Sequence, residues 1–349
     1  MAALVVLAWH SLHANQIVPT SYVPSLFPLG ILEEGHTGVS LFMTLSGFIF
    51  HALCRDSAIH YSQFILNRVL RIAPLFVVWT LFYFYTMDID SAKLFVALVG
   101  LMNNGVVPGV GWTIIVEFQF YALFPFLFLF ARRYGLAYLL GLVLLAMMFR
   151  LGVWYTHGSV QSLSYVTIFG HIDQFLLGMI GSELCFRFPR QLGRVPILVL
   201  LVAVWLFLYN QFNFLGGFYH LSEYPSRSPL WVVLPTAEGL FYSLITASYL
   251  SLEQALPNVV DRALAWLGTL SYSFYLNHVF VIGICIKLCA ESGWIVRGFG
   301  QGLAFTFLVA LPAVVAVSAV TYRLIEVPFL SMRRPYLSKE IQTTMAGRD

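Results

Sequence analysis

The sequence predicts an all-α protein that crosses a membrane many times, and two observations support this fold class. Hydrophobic residues make up 59% of the 349 positions and charged residues only 10%, a balance that soluble domains do not reach. Apolar runs of roughly 20 residues, the length of one helical span, follow one another along the chain. Because lipid cannot satisfy unpaired backbone groups, these runs must form a polytopic transmembrane helical bundle rather than open sheets.

About ten spans are predicted, within a single transmembrane domain at 1–330 that is followed by a polar cytoplasmic tail at 331–349. The tail is expected to fray after Arg333. The apolar piece at 92–103 is short and fits a re-entrant or interfacial helix better than an eleventh span. With ten spans and a cytoplasmic N-terminus, the arginine-rich segments share the inner face, as the positive-inside rule expects, whereas eleven spans would move the later ones outside. The spans are placed at 1–18, 37–54, 68–87, 112–131, 134–154, 167–187, 195–213, 229–251, 264–288 and 298–326.

Charge and cysteine usage exclude several classes of function. The net charge of +3 is small, so nucleic acid is not an expected partner, and the bilayer is. The four cysteines sit in or beside apolar runs without the spacing of metal ligands, which indicates packing residues and no metal site. The first run has neither a basic start nor a small-residue cleavage site, so no cleavable signal peptide is expected.

Ionisable residues inside the spans are candidates for function, because each costs about 2.5–3.5 kcal/mol at the centre of a helix on insertion scales. His10 lies in the first span, where a neutral imidazole can take a proton from a hydroxyl and return it to a leaving group. Packing in the core is the alternative for a lone histidine. His13 lies one turn later and nearer water, which makes it a weaker candidate. A generic place in the bundle interior is all that is expected for the other intramembrane charges, Arg150, His171, Asp173, Glu183 and Glu238.

Arg68 and Arg71 are spaced i and i+3 and therefore share one face of a helix. Two guanidiniums aimed at one place suit a phosphate, since each offers a planar fork of donors. Anchoring at the positive inner interface is the competing interpretation.

Two further helices carry polar side chains at helical spacing. Glu117 and Tyr121 are one turn apart in the span opened by Trp112, where a carboxylate on the outer side can orient an imidazole or hold a sugar hydroxyl. An acid and a tryptophan at the membrane interface would explain the same pattern. Ser271, Tyr275 and His278 form a stripe that must face a cavity or a partner helix. Near the end of the last span, the carboxylate of Glu326 precedes the helix-stopping Pro328.

Taken in order, these motifs resemble the membrane-bound acyltransferase 3 family, which includes bacterial O-acetyltransferases of lipopolysaccharide, exopolysaccharide and Nod factors. The likeness extends over nearly the whole chain. The six matching blocks are the first-helix histidine, G-V-x-L-F-x-x-L-S-G-F from Gly38 to Phe48, R-x-x-R-x-x-P from Arg68 to Pro74, W-x-x-x-x-E-x-x-F-Y from Trp112 to Tyr121, S-Y-x-x-Y-x-x-H from Ser271 to His278, and I-E-x-P-F from Ile325 to Phe329.

The resemblance implies a ten-helix inner-membrane enzyme with both termini in the cytoplasm. It would pass an acyl group, usually acetyl, from cytoplasmic acyl-CoA to a hydroxyl of a saccharide or lipid-linked glycan, with no permanently bound cofactor. His10 matches the catalytic histidine, Arg68 and Arg71 match the pair that engages the donor, and Glu117 matches the motif acid on the outer side. The other matched motif positions, without assigned roles, are Ser46, Gly47, Trp112, Tyr121, Ser271, Tyr275, His278 and Glu326.

Two departures from the family pattern qualify this expectation. The family commonly carries a basic residue ahead of the first-helix histidine, at a position that would precede Met1 here, so the sequence is expected to be N-terminally short. Met43 replaces a usual phenylalanine, which is expected to change only packing. His10 can act as general base or as transient acyl carrier, and the residues do not distinguish the two. A glycolipid carrier or flippase and an inactive, truncated relative are the alternative functions.

Overall fold

The computed structural model describes residues 1–14, 27–86, 109–219, 223–252 and 257–339. It confirms the predicted fold class: helices make up nearly all of the regular structure, and the described residues contain a single two-stranded ladder. The helices are α1 Ala2–Ala14, α2 Gly30–Glu33, α3 Thr37–Cys54, α4 Tyr61–Thr86, α5 Trp112–Tyr134, α6 Leu136–His157, α7 Gln161–Val166, α8 Ile168–Arg187, α9 Pro189–Leu192, α10 Val195–Phe214, α11 Leu230–Leu250, α12 Asn258–Thr269, α13 Ser271–Glu291 and α14 Gly298–Leu330, the last containing π-helical turns at Thr306–Ala310 and Tyr322–Glu326. The strands are β1 Ser57–Ile59 and β2 Leu337–Lys339.

Among the described residues, eight helices are long and apolar enough to cross a membrane, namely α3, α4, α5, α6, α10, α11, α13 and α14. The two remaining predicted spans correspond to α1 and α8. Helix α1 is described over 13 residues, and the rest of its predicted span at 15–18 lies outside the described residues, as does the segment at 92–103. Helix α8 has 20 residues and carries several charges. It packs against α3, α6 and α11, and such an interior position is where intramembrane charges find partners.

The charged residues of α8 and its neighbours are satisfied inside the bundle, as the sequence predicts. Arg150 on α6 and Asp173 on α8 are both 0% exposed and form an ion pair of 2.7 Å. Thr236 also donates to Asp173 and accepts from Arg150. The carboxylate of Glu238 accepts hydrogen bonds from the hydroxyls of Ser40 and Tyr209 and from the amide of Gln174. These groups hold helices together, since a buried charge is tolerated only with such partners.

Helices α3 and α8 approach so closely that their backbones touch. A Cβ atom on Gly47 would lie 2.0 Å from the carbonyl oxygen of Phe175, and one on Gly178 would lie 2.1 Å from that of Thr44. Small residues at such crossings are typical of helix packing in membranes. The motif position Gly47 is therefore explained by packing. Because the contact fixes the rotation of α3 about its axis, it also fixes the direction in which the neighbouring Ser46 points.

The C-terminal segment is part of the fold. Strand β2 pairs antiparallel with β1, with Leu337 opposite Ile59 and Lys339 opposite Ser57. The expectation that the chain frays after Arg333 is therefore wrong up to residue 339, because the short polar segment finds a backbone partner in the α3–α4 connection. We call the end of the bundle that carries this ladder the basic end.

Candidate active site

A cavity of about 770 Å³ lies toward the basic end of the bundle. Its walls come from α1, α3, α4, α5, α12 and α13, together with Tyr249 of α11 and Arg333 beyond α14. The cavity brings together seven of the residues singled out from the sequence, namely Ser46, Arg68, Arg71, Glu117, Tyr121, Ser271 and Tyr275. Arg68 and Arg71, one turn apart on α4, both line this cavity, and their role in binding a donor stays a prediction.

The guanidinium of Arg68 is surrounded by aromatic rings. Its Cζ atom lies 4.9 Å from the ring centroid of Phe50, 5.4 Å from that of Phe64, 5.8 Å from that of Tyr121 and 5.7 Å from that of Tyr336. Its Nε atom is buried without a hydrogen-bond partner among the described residues. Cation–π contacts stabilise the charge without consuming the donor fork, so the guanidinium retains donors for an anion.

Arg71 is held by a buried carboxylate. Its Nη1 atom lies 3.8 Å from Oε2 of Glu326, which is 1% exposed, and Glu326 also accepts the hydroxyl of Ser273. The neighbouring Tyr272 donates to the carbonyl of Ile72 at 2.6 Å and so ties α13 to α4. The side chain at motif position Glu326 thus lies against the Arg71 guanidinium.

Glu117 lies inside the bundle, in the cavity wall. Its carboxylate accepts hydrogen bonds from Tyr121 and from Ser46, the latter at 3.3 Å, and Ser46 is in the middle of α3. Glu117 is about 7.5 Å along the axis of α5 from Trp112, and its place on the outer side stays a prediction. Glu117 and His10 share no hydrogen bond, so this carboxylate does not orient the His10 imidazole.

The ring of His10 pairs with a second imidazole, that of His278 on α13. The two rings meet through His10 Nδ1 and His278 Nε2 at 3.1 Å. His278 Nδ1 contacts the carbonyl of Tyr275, and His10 Nδ1 lies 3.1 Å from the carbonyl of Val6. A carbonyl oxygen only accepts, so both Nδ1 atoms carry hydrogen and His278 Nε2 accepts. His10 Nε2 is left with its lone pair and has no hydrogen-bond partner among the described residues.

The other two aromatic candidates have protein contacts of their own. His13 Nδ1 is bound to the carbonyl of Trp9 at 2.8 Å, which leaves its ring against Tyr219. Trp112 packs on Tyr165 and stacks on His171, with ring centroids 4.9 and 5.6 Å apart. The ring of Trp112 thus packs against α7 and α8.

The histidine pair does not line the cavity. The cavity wall ends on α13 at Phe274 and Tyr275, and the hydroxyl of Tyr275 is fixed by Thr113 at 3.0 Å. His278 follows Tyr275 by three residues, about 4.5 Å along the helix. From the level of Ser273, where Arg71 and Glu326 meet, the imidazoles are about 7.5 Å further along α13. The arginines and the histidines therefore lie in line along α13, separated by the end wall of the cavity.

Sequence reasoning missed a second polar stripe on α13. Ser273 bonds Glu326, and Asn277, one turn later, donates to Thr321 at 2.9 Å. Their i and i+4 spacing was visible in the sequence and indicates a polar seam toward α14. The first stripe, through Ser271 and His278, faces the cavity and α1, and it drew attention away from this second one.

The fold and site together define a polytopic helical membrane protein with an arginine-lined cavity and a buried imidazole pair. The chain belongs to the acyltransferase 3 family, whose model, described as an acyltransferase domain, matches residues 1–323. It is also 26% identical over 332 residues to the exopolysaccharide production protein ExoZ of Rhizobium meliloti (strain 1021), covering 90% of this chain and 94% of that protein. No solved structure matches it. The chain is a multi-pass membrane acyltransferase, and the predicted family is confirmed.

Proposed function

We propose that the protein transfers an acyl group, in the simplest case acetyl, from acyl-CoA to a hydroxyl of a saccharide or lipid-linked glycan. The observation that carries the proposal is the imidazole pair, which leaves His10 Nε2 as an unpartnered base in a bundle that also presents arginines to a cavity. The relative named for exopolysaccharide production supports a glycan acceptor, since the two proteins align over nearly their whole lengths.

The arginines supply the donor site of this proposal. Arg68 and Arg71 bind the phosphates of acyl-CoA, and no permanently bound cofactor is required. The basic end then faces the cytoplasm, in keeping with the positive-inside rule, and the segment that pairs with β1 lies on that side of a bacterial inner membrane. From the phosphates the pantetheine arm extends along α13 and carries the thioester past Phe274 and Tyr275 to His10. The proposal requires these two side chains to give way when the donor binds.

The chemistry uses one nitrogen. His10 Nε2 takes the proton of the acceptor hydroxyl while its oxygen attacks the thioester carbonyl. A carbon–oxygen bond forms, the carbon–sulfur bond breaks, and the leaving CoA thiolate takes the proton from the imidazolium. His278 keeps the His10 ring oriented through the Nδ1 hydrogen, as the orienting group does in a hydrolase triad. In the second route the same nitrogen attacks the thioester carbonyl, the carbon–sulfur bond breaks and the CoA thiolate leaves. The hydroxyl oxygen then attacks the acyl carbon, the carbon–nitrogen bond breaks, and the thiolate takes the hydroxyl proton. Rapid denaturation at neutral pH after incubation with labelled acetyl-CoA and no acceptor distinguishes the routes, because only the second leaves label on the protein.

The test compares His10→Ala with His13→Ala in purified protein reconstituted in liposomes with radiolabelled acetyl-CoA and a glycolipid extract. Loss of the base is expected to lower acyl transfer by about 10²- to 10⁴-fold, whereas His13→Ala, one turn away, retains it. Mass spectrometry of surface glycans from a deletion strain complemented with each variant gives the same comparison in cells. Full acylation by folded His10→Ala rejects the assignment. Transport of glycolipid without consumption of acetyl-CoA replaces it with a carrier.

A further inference from the structure

The segment that follows α14, residues 333–339, is fastened across the basic end, and we call it the C-terminal strap. Asn67 on α4 binds its backbone twice, donating to the carbonyl of Arg334 at 2.6 Å and accepting its N–H at 3.2 Å. The carbonyl of Tyr336 accepts the N–H of His60 at 2.9 Å, and β2 pairs with β1. These backbone contacts fix the position of the segment relative to α4 and β1.

The strap contributes to the donor cavity. The Tyr336 ring packs on Phe64 at 5.4 Å and against the guanidinium of Arg68 at 5.7 Å, and Arg333 itself lines the cavity together with Arg68 and Arg71. Partial burial, and then the charges of Arg68 and Arg71, lower the pKa of Arg333 from its ordinary value. The three guanidiniums are thus close enough to repel one another.

The nearby carboxylates form no ion pair with Arg68 or Arg333 among the described residues. Arg71 has Glu326 at 3.8 Å, but no carboxylate of the described residues lies within 4 Å of Arg68 or Arg333. Glu117 in the wall is bonded to Ser46 and Tyr121, and the remaining acid of the lining, Asp261 on α12, forms no ion pair with a described residue. Gathering like charges is unfavourable unless an anion binds between them, and guanidiniums suit phosphate oxygens.

We propose that Arg333, held in place by the strap, is a third phosphate ligand of the donor site and recognises the 3′-phosphate of the adenosine end of acyl-CoA. This inference rests on the proposed function. Arg333 is the most exposed of the three arginines and follows the end of α14, so it lies at the mouth of the cavity. Arg71, held against Glu326 deeper along α13, is placed for the diphosphate nearer the thioester. The ligand class is a thioester of a nucleotide that carries both groups.

The experiment measures the affinities of CoA and 3′-dephospho-CoA for purified full-length protein by calorimetry. The wild type is expected to bind CoA about tenfold more tightly, the scale of one charge-assisted contact. Arg333→Gln should bind both ligands equally, at the affinity of the wild type for dephospho-CoA. Arg333→Lys should keep part of the preference, and the adjacent Arg334→Gln, whose side chain does not line the cavity, should keep all of it.

The strap gives a second, independent variant. Asn67→Ala removes both bonds to Arg334 and should lower the preference for CoA while leaving binding of dephospho-CoA in place, because only the positioning of Arg333 is lost. Thermal unfolding without ligand checks that each variant is folded. If Arg333→Gln does not fold, the comparison is made with Arg333→Lys.

Three outcomes overturn the inference. An undiminished preference for CoA in Arg333→Gln shows that Arg333 does not contact the 3′-phosphate. An equal loss in Arg334→Gln shows that general positive charge, rather than this side chain, is responsible. If the wild type binds neither CoA nor dephospho-CoA, the proposed function fails together with this inference, whereas the first two outcomes leave it standing.

Discussion

Replacement of His278 tests the proposed catalytic role of the imidazole pair most directly. In His278→Phe the His10 Nδ1 hydrogen loses its 3.1 Å acceptor but keeps the carbonyl of Val6 at 3.1 Å. The tautomer of His10, and with it the lone pair on Nε2, should therefore survive. What is lost is the extra stabilisation of the imidazolium that forms as His10 takes the proton.

The size of this effect follows from the difference between two hydrogen bonds. A bond to a charged group contributes about 1.5–3 kcal/mol and a neutral one about 1 kcal/mol. Only the difference, about 0.5–2 kcal/mol, lowers the barrier, since the neutral bond is present before reaction. The expected loss in kcat is therefore about 2- to 30-fold. KM for acyl-CoA should stay unchanged, because His278 does not line the cavity that we propose as the donor site.

The assay is steady-state acetyl transfer in liposomes for the single variants and for His10→Ala combined with His278→Phe. The double variant should be no slower than His10→Ala alone, because residues that act as a unit are not additive. His278→Gln, whose amide oxygen can accept the His10 hydrogen, should recover part of the rate. Unchanged kcat in His278→Phe refutes the coupling. A loss as large as that of His10→Ala shows instead that His278 is itself the base.

Two other predictions concern stability. Gly47→Ala should lower the free energy of unfolding by about 1–3 kcal/mol, the usual cost of overpacking, because the added Cβ would lie 2.0 Å from the carbonyl oxygen of Phe175. Thermal unfolding in detergent measures this loss. An unchanged unfolding midpoint contradicts the close α3–α8 contact. Burial raises the pKa of Glu34, between α2 and α3, from 4.5 to about 7 despite hydrogen bonds from Asn213 and Phe218. The native state then binds the proton more tightly than the unfolded chain, so the free energy of unfolding should fall as pH rises from 4.5 through 7. Glu34→Gln should flatten this pH dependence. An unaltered pH profile in that variant excludes Glu34 as the source of the pH dependence.

The features that the sequence predicted well are local along the chain. The spans follow from runs of apolar residues, and the common cavity of Arg68 and Arg71 follows from their i and i+3 spacing. The contact of Glu117 with Tyr121 is likewise a matter of one helical turn. Such periodicities are properties of a single helix and require no knowledge of what packs against it.

The features that the sequence could not supply join distant helices. His10 and His278 are 268 positions apart, and Arg71 meets Glu326 across the whole later half of the chain. The strap is the clearest case, since nothing local in residues 333–339 indicates that Asn67 will hold their backbone. Pairings of this kind depend on how helices cross, which a single sequence does not contain.

The partner of His10 has a physical rationale that also explains why a carboxylate was the wrong expectation. A carboxylate buried beside the ring would have to lose its hydration, and the attraction to a transient imidazolium recovers that cost only with additional hydrogen bonds. Glu117 and Glu326 have such bonds, from Ser46 and Tyr121 and from Ser273, and both are near the arginines of the cavity. A neutral imidazole such as His278 fixes the His10 ring with a lone pair and brings no charge to the interior. Pairing His10 with His278 thus brings no charge next to the proposed reacting nitrogen until a proton moves.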